Sequence, residues 1–205
     1  MDRCQEKRDF TGNTRSAFVT IGARNFAREE REERDYYATP PYVVKLLLEK
    51  ERFSKRVWEC AAGGEHLAHA LREEGHEVWC TDVVNRTGFV DVLDFLTSDV
   101  AWDGDIITNP PYKHAEAFVR RAMERVQHGA KVAMLLKLTF LEGRERRALF
   151  RDYPPKSVYV SSRRIMCAKN GDFASMTGRS SAMAYAWFVW EKGYKGETVV
   201  RWFNE

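Results

Sequence analysis

The sequence predicts an α/β fold: a doubly wound, mostly parallel sheet with helices on both faces and an antiparallel edge. Three observations carry this reading. Short apolar segments alternate with helical stretches from about residue 36 onward, the pattern of βαβ units. Lys131-Val132-Ala133-Met134-Leu135-Leu136 is a near-continuous apolar run, as a strand buried on both faces requires. The final strand candidates, 157–160, 182–190 and 198–203, have no long helix between them, which places antiparallel pairing at the edge.

The elements follow in order. Thr39 reads as an N-cap with Pro40 at the first helical position, and Val43, Val44, Leu46, Leu47 and Leu48 suit a buried helix to about Lys50. A strand over 56–60 runs into a turn of small residues at 61–64. A helix over 66–74 has Leu67 and Leu71 one turn apart and stops near Gly75. Strands are expected at 76–81, 88–92 and 104–108. Phe118, Ala122 and Val126 share one face of a helix over 113–127, with Gly129 just past its end. After the central strand at 131–136 comes a helix over 142–151, broken before Pro154-Pro155.

Residues 1–34 are polar, rich in Arg and Glu and without sustained periodicity, so they read as an N-terminal arm; 35–205 reads as one domain. Residues 161–181 are polar, contain Gly171 and Gly178, and read as a long loop. Loops of that length in compact domains are usually functional or disordered, which makes this one a candidate for substrate recognition.

Composition narrows the class. With 44% hydrophobic and 31% charged residues among 205, the chain is neither collagen-like, nor a disulfide scaffold, nor wholly disordered. No apolar run approaches the ~18–20 residues of a membrane span, and no apolar segment follows the charged start as in a secretory signal. Cys4, Cys60, Cys80 and Cys167 form no CxxC pair and read as reduced thiols, consistent with a cytoplasmic location and no membrane partner. The net charge of +3 announces no polyanion partner by itself. Its distribution says more: from Lys137 to Lys169 there are nine Lys/Arg against three Asp/Glu, and a basic patch there would attract phosphates. The competing reading is a solvated helix face and turns.

The sharpest chemical feature is Asn109-Pro110-Pro111-Tyr112, directly after an apolar strand, where doubly wound folds place their ligand crevice. Two prolines make the turn rigid and remove two N–H donors. An Asn side-chain oxygen beside a backbone carbonyl makes two converging acceptors, which suit an amino group with two N–H bonds; a following tyrosine can stack on a flat ring. Upstream, Glu59-Cys60-Ala61-Ala62-Gly63-Gly64 ends the first long strand with an acid and small residues that let a ligand approach the backbone. Asp82 closes the next strand about twenty residues on, a common place for an acid that holds ribose hydroxyls.

Together these motifs resemble the class I S-adenosylmethionine-dependent methyltransferases, and most closely the amino-group methyltransferases of the DNA N6-adenine type, including small phage-borne members. Asp35-Tyr36-Tyr37-Ala38-Thr39-Pro40 resembles the segment preceding the first strand in that family, and Asp94-Phe95-Leu96 its acid–aromatic pair. The match runs from about Tyr36 to Leu141. It implies a Rossmann-like, seven-stranded methyltransferase sheet and S-adenosylmethionine as cofactor. Glu59, Ala61 and Gly63 would flank the cofactor's methionine part. Asp82 would take its ribose, Asp94 and Phe95 its adenine, and Tyr37 and Thr39 would close the pocket. Asn109 and the Pro110 carbonyl would accept from the target amine, Pro111 would stiffen the turn, and Tyr112 would stack on the base. One departure stands out: where the family's loop usually has another glycine, this sequence has Glu65.

The implied partner is nucleic acid, DNA favoured over RNA, bound by a monomer or homodimer. Arg144, Arg147, Arg163 and Arg164 are candidate phosphate contacts and Phe173 a candidate base contact. The alternatives are an enzyme acting on RNA or on a protein glutamine, one acting on cytosine N4 (where Ser-Pro-Pro-Tyr is more usual), and an inactive binding module. The 34-residue arm is short for the extra domain of the glutamine type. His66 and His69 lack a matching ligand cluster, so no metal is expected; Cys60 reads as a packed residue rather than a nucleophile.

Overall fold

The computed structural model describes residues 36–176 and 183–203. The expected arm at 1–34, Asp35, and the end of the expected loop beyond residue 176 lie outside the described residues.

The strands are β1 (Tyr37–Ala38), β2 (Arg56–Glu59), β3 (Glu77–Asp82), β4 (Asp91–Val92), β5 (Asp105–Thr108), β6 (Lys131–Lys137), β7 (Ser157–Ser161), β8 (Ala168–Lys169), β9 (Tyr185–Glu191) and β10 (Val199–Phe203). The helices are α1 (Pro41–Lys50), α2 (His66–Glu73), α3 (Ala115–Arg125) and α4 (Arg147–Asp152). The main sheet has the order β10-β7-β9-β6-β5-β2-β3-β4. The α/β, mostly parallel expectation holds, with two corrections. Eight strands form the sheet rather than seven, and the antiparallel strand is inside it. β9 runs antiparallel to β6 on one side and to β7 on the other, while the edge strand β10 is parallel to β7. The reason lies in β9 itself: Tyr185 to Trp190 are all buried, and a strand covered on both faces gains most by using both of its hydrogen-bonding edges.

The sheet's two faces follow the period of two along each strand. Trp58, Ile106, Met134 and Phe188 face one way, toward α3 with Phe118, Val119, Ala122 and Met123 and α4 with Leu149. Val57, Ile107, Leu135 and Trp187 face the other, toward α1 with Val43, Val44 and Leu47 and α2 with Leu67 and Leu71. Buried indoles are satisfied: Trp58 donates to Thr81 Oγ1 at 2.9 Å and Trp187 to the Val43 carbonyl at 3.0 Å.

Locally, α1 starts one residue later than expected, with Pro40 at the N-cap and Thr39 before it. The strand expected at 88–92 shrinks to β4. The helix expected over 142–151 starts late: Gly143 at φ 113° breaks the chain, Arg144–Arg146 form a 3-10 turn, and α4 begins only at Arg147. The expected loop contains β8, which pairs antiparallel with β1 in the register Tyr37↔Lys169 and Ala38↔Ala168. No helix among the described residues is long and apolar enough to cross a membrane.

Candidate active site at the carboxyl ends of β2 and β5

β2 ends at Glu59, and the chain turns through Gly63 (φ 54°) into α2. The Ala62 N–H donates to the Thr81 carbonyl at 3.1 Å, and the Gly63 N–H to Asp82 Oδ2 at 2.9 Å. Asp82 Oδ1 also accepts from the Val84 N–H at 3.0 Å and pairs with Arg86 at 3.2 Å. The Tyr36 ring lies on the turn; a Cβ at Gly63 would sit 2.6 Å from its Cδ2, so glycine is required there both for φ and for the close approach.

Glu65 stands at φ 60°, the left-handed region that glycine normally supplies. The expected glycine is therefore absent while its backbone conformation is kept. The Glu65 carboxylate is buried, pairs with Arg72 at 2.9 Å and accepts from the Thr87 hydroxyl. Burial pushes the Glu65 carboxyl up, but the hydrogen bonds from Thr87 and Arg72 outweigh it and hold it below the usual carboxylate range.

Glu59 is the contrasting acid. It is 2% exposed, and its Oε2 has no partner. Burial pushes its carboxyl well above the usual range, and the neighbouring Glu65 and Asp82 charges add to this.

At the end of β5, Asn109 donates from Nδ2 to the Tyr37 carbonyl at 2.7 Å. A carbonyl can only accept, so this bond fixes which end of the amide is which and leaves Oδ1 as the free acceptor. Oδ1 is buried and has no partner. Pro110 is buried and Pro111 opens a 3-10 turn over Tyr112–His114, its carbonyl accepting from the His114 N–H at 2.8 Å. Tyr112 is half-buried. Its ring stacks on Tyr37 at 6.5 Å and meets Tyr185 at 5.8 Å, and the Lys137 ammonium lies 5.0 Å from its centre. Burial, with Cys167 and Tyr185 adjoining, pushes the Tyr112 phenol well above its ordinary pKa.

The β1–β8 ribbon joins the two halves. Tyr36 and Asn170 bond each other's backbone across it, the Asn170 N–H donating to the Tyr36 carbonyl at 2.8 Å. Phe173, beyond β8, meets His66 edge-on at 5.5 Å and so belongs with the glycine turn. Thr39 Oγ1, Glu59 Oε2, His66 Nδ1 and Asn109 Oδ1 are all buried without partners. Each such group costs ~1–3 kcal/mol unless a ligand satisfies it, and these four sit on segments meeting at the carboxyl ends of β2 and β5.

Among the sequence candidates, Tyr37, Thr39, Glu59, Ala61, Gly63, Asp82 and the 109–112 turn are thus drawn toward one end of the sheet. Asp94 lies next to them: the Leu93 N–H donates to the Asp82 carbonyl at 3.0 Å, and Asp94 Oδ1 caps the Leu96 N–H at 2.9 Å. Phe95 does not join them. It is 1% exposed and packed against Trp58 and Phe118, both at 5.1 Å, which leaves no open ring face. Arg144, Arg147, Arg163 and Arg164 are exposed, after the carboxyl ends of β6 and β7. Sequence reasoning missed Tyr36, His66, Arg86 and Lys137. In sequence Tyr36 reads only as part of the segment before β2, His66 only as a candidate metal ligand and Lys137 only within a basic stretch, because long-range packing is what places all four. Two open depressions, of about 750 and 370 Å³, lie at the amino ends of the strands around Arg56 and Ser54, away from these groups.

No protein-family model matches the sequence, and no curated protein does. Solved structures are similar in fold. A Listeria monocytogenes protein, provisionally described as a class I S-adenosylmethionine-dependent methyltransferase, matches with TM-score 0.54 at 12% identity, over 82% of this chain and 66% of that one. A modification subunit provisionally assigned to a type I restriction enzyme of Vibrio vulnificus matches with TM-score 0.56 at 12% identity, over 89% of this chain and 49% of that one. The 23S rRNA methyltransferase ErmE matches with TM-score 0.53 at 14% identity, over 79% and 71%. This chain therefore spans about two thirds and half of the first two proteins, and its fold is the one found in class I S-adenosylmethionine-dependent methyltransferases.

Proposed function

We propose that this chain transfers a methyl group from S-adenosylmethionine to an exocyclic amino group, adenine N6 in DNA. The observation that carries the reading is Asn109: its amide is oriented by Tyr37, and its carbonyl oxygen is buried and left without a donor. An aromatic amine is a poor nucleophile because its lone pair delocalises into the ring. An acceptor fixed in advance holds the amine's N–H bonds in place and frees that lone pair, with no reorganisation during reaction.

The residues fit the cofactor. Glu59 and Thr39 offer buried polar atoms without partners, and Asp82 lies beside the glycine turn, whose close approach the Tyr36 ring fills. When bound, the cofactor supplies an electrophilic methyl group on a sulfonium. Glu59 would hold cationic groups, and Asp82 would hold hydroxyls by exchanging its bond to Arg86. A duplex target base would have to leave its stack to reach Asn109. The choice of a nucleic acid is supported by the cations after β5, β6 and β7. Among the described residues Lys113, Arg144, Arg147, Arg163 and Arg164 make no ion pair, whereas Lys55, Arg56, Lys131 and Lys156 at the sheet's other end are paired with carboxylates. The DNA-adenine choice rests on the Asn-Pro-Pro-Tyr resemblance.

The test is methyl transfer from labelled S-adenosylmethionine to unmethylated duplex DNA, beside single-stranded DNA and RNA, with the product nucleoside identified by mass. N6-methyladenine in DNA, lost in Asn109→Ala, is the expected result. Label in RNA alone would move the substrate class. Cofactor binding without transfer to any nucleic acid would refute the substrate, and failure to bind the cofactor would leave a binding module.

A further inference from the structure

The Asn109 amide is oriented by a backbone carbonyl, and a second strand holds that carbonyl in place. Opposed residues in an antiparallel pair alternate between hydrogen-bonded and non-hydrogen-bonded positions. Tyr36 and Asn170 are bonded: the Asn170 N–H donates to the Tyr36 carbonyl at 2.8 Å, and the Tyr36 N–H donates to Asn170 Oδ1 at 3.4 Å. Tyr37, opposite Lys169, is therefore a non-bonded position, and its carbonyl turns away from β8 to take the Asn109 Nδ2 hydrogen at 2.7 Å. A slip that made Tyr37 a bonded position would turn this carbonyl onto β8 and leave the Asn109 amide without its anchor. Asn170 stands at φ 52° and Gly171 after it at φ 77°, so the chain turns back directly beyond the ribbon. Asparagine enters the left-handed region at low cost, which lets one residue both end β8 and clamp Tyr36. β8 is itself fixed, since Ile165, Cys167 and Ala168 are buried.

We infer that Asn170 is a positioning residue for methyl transfer: by holding Tyr36 it sets the Tyr37 carbonyl, and through that carbonyl the free Oδ1 of Asn109. The inference rests on the methyl-transfer reading above and deepens it. Asn170 acts through Asn109 and needs no contact with the substrate. β8 lies between Arg163 and Arg164 on one side and Phe173 on the other, so the segment that carries these candidate substrate contacts also sets the acceptor. Misplacing an acceptor costs rate rather than affinity, because most ground-state contacts stay while the reacting geometry is lost.

The test uses the whole chain and two substitutions. Asn170→Gly keeps the backbone N–H and the left-handed turn but removes Oδ1. Asn170→Asp keeps an acceptor in its place. The first readout is exchange of the Asn109 Nδ2 protons with water by nitrogen-15 NMR on the free protein, the resonance being assigned by its loss in Asn109→Asp. Exchange should quicken by about fivefold in Asn170→Gly and stay at the wild-type rate in Asn170→Asp. The second readout is turnover: kcat should fall by about tenfold in Asn170→Gly and recover in Asn170→Asp, with KM for duplex DNA and S-adenosylmethionine affinity by calorimetry within about twofold of wild type. Wild-type exchange and kcat in Asn170→Gly would overturn the inference while leaving methyl transfer intact. A fall in cofactor affinity with Asn109 exchange unchanged would overturn it in favour of a role at the glycine turn through Tyr36. A wild type that transfers no methyl to any nucleic acid would fail the functional reading itself and the inference with it, and the exchange rates, which need no substrate, tell that failure apart from a missing anchor.

Discussion

Asn109 has one way to place its amide, because the Tyr37 carbonyl cannot donate. Asn109→Asp therefore tests orientation with almost no change of shape. A carboxylate facing that carbonyl sets two acceptors against each other, and the side chain must turn away or take up a proton. Methyl transfer should fall by about 10²–10³, the cost typical of losing one preorganised polar group, with cofactor affinity unchanged by calorimetry. Equal loss of cofactor affinity would place Asn109 in a different role. Glu59 gives a pH test. Its carboxyl is held neutral above the usual carboxylate range by burial, whereas a cationic ligand group beside it favours the ionised form. Cofactor binding should then release a proton, and affinity should rise with pH until the free protein's Glu59 ionises, then level off. Calorimetry in buffers of different ionisation enthalpy measures the release, and Glu59→Gln should abolish it. The sign for stability is opposite to that of a salt-bridged acid. The folded state binds a proton that the unfolded state gives up near pH 4.5, so Glu59 costs stability as pH rises from there toward its folded pKa.

At the scale of elements, the glycine turn is held by an ion pair rather than by glycine alone. Glu65 adopts φ 60° at a cost of about 1 kcal/mol, and its buried carboxylate depends on Arg72 and Thr87. Arg72→Ala should destabilise by about 1–3 kcal/mol, less than for a fully buried pair because Arg72 is 37% exposed. In a Glu65→Gly background, where both the strain and the carboxylate are gone, the same substitution should cost much less. A double-mutant cycle by urea unfolding measures the difference, and simple additivity would deny the coupling. Local elements of this kind were partly legible in the sequence. β2, β6 and α2 follow from apolar runs and helical spacing, and they appear within a residue or two. Glu65 was visible as a departure, but its conformation was not, because a left-handed φ depends on partners seven and twenty-two residues away. The β1–β8 ribbon was invisible: two-residue strands carry no periodicity, and their partners are 130 and 132 residues apart in sequence. Phe95 read as a pocket residue because an aromatic beside an acid looks the same in sequence whether it faces a ligand or Trp58.

For the whole molecule, alternation of strand and helix was enough for the fold class, while strand order was not. The last three strands of the sheet carry similar apolar patterns, and the interior place of β9 is decided by which neighbours bury it on both sides. What the order does for function is to point the ends of β5, β6 and β7 toward the same side, each followed by cations: Lys113, then Arg144 and Arg147, then Arg163 and Arg164. If this rim tracks a phosphate backbone, binding of duplex DNA between 50 and 200 mM salt should be steeply salt-dependent, with the slope of log affinity against log salt set by the number of phosphates neutralised. Replacing Arg163 and Arg164 together by alanine should flatten that slope by about 0.9 for each phosphate no longer neutralised. Lys156→Ala is the control: its ammonium is paired with Glu191 at 2.6 Å at the opposite end of the sheet, so the slope should not move. Fluorescence anisotropy on a labelled duplex gives all three slopes. Equal slopes for the wild type and the double arginine variant would remove 163–164 from the interface and leave the cations after β5 and β6 to carry it.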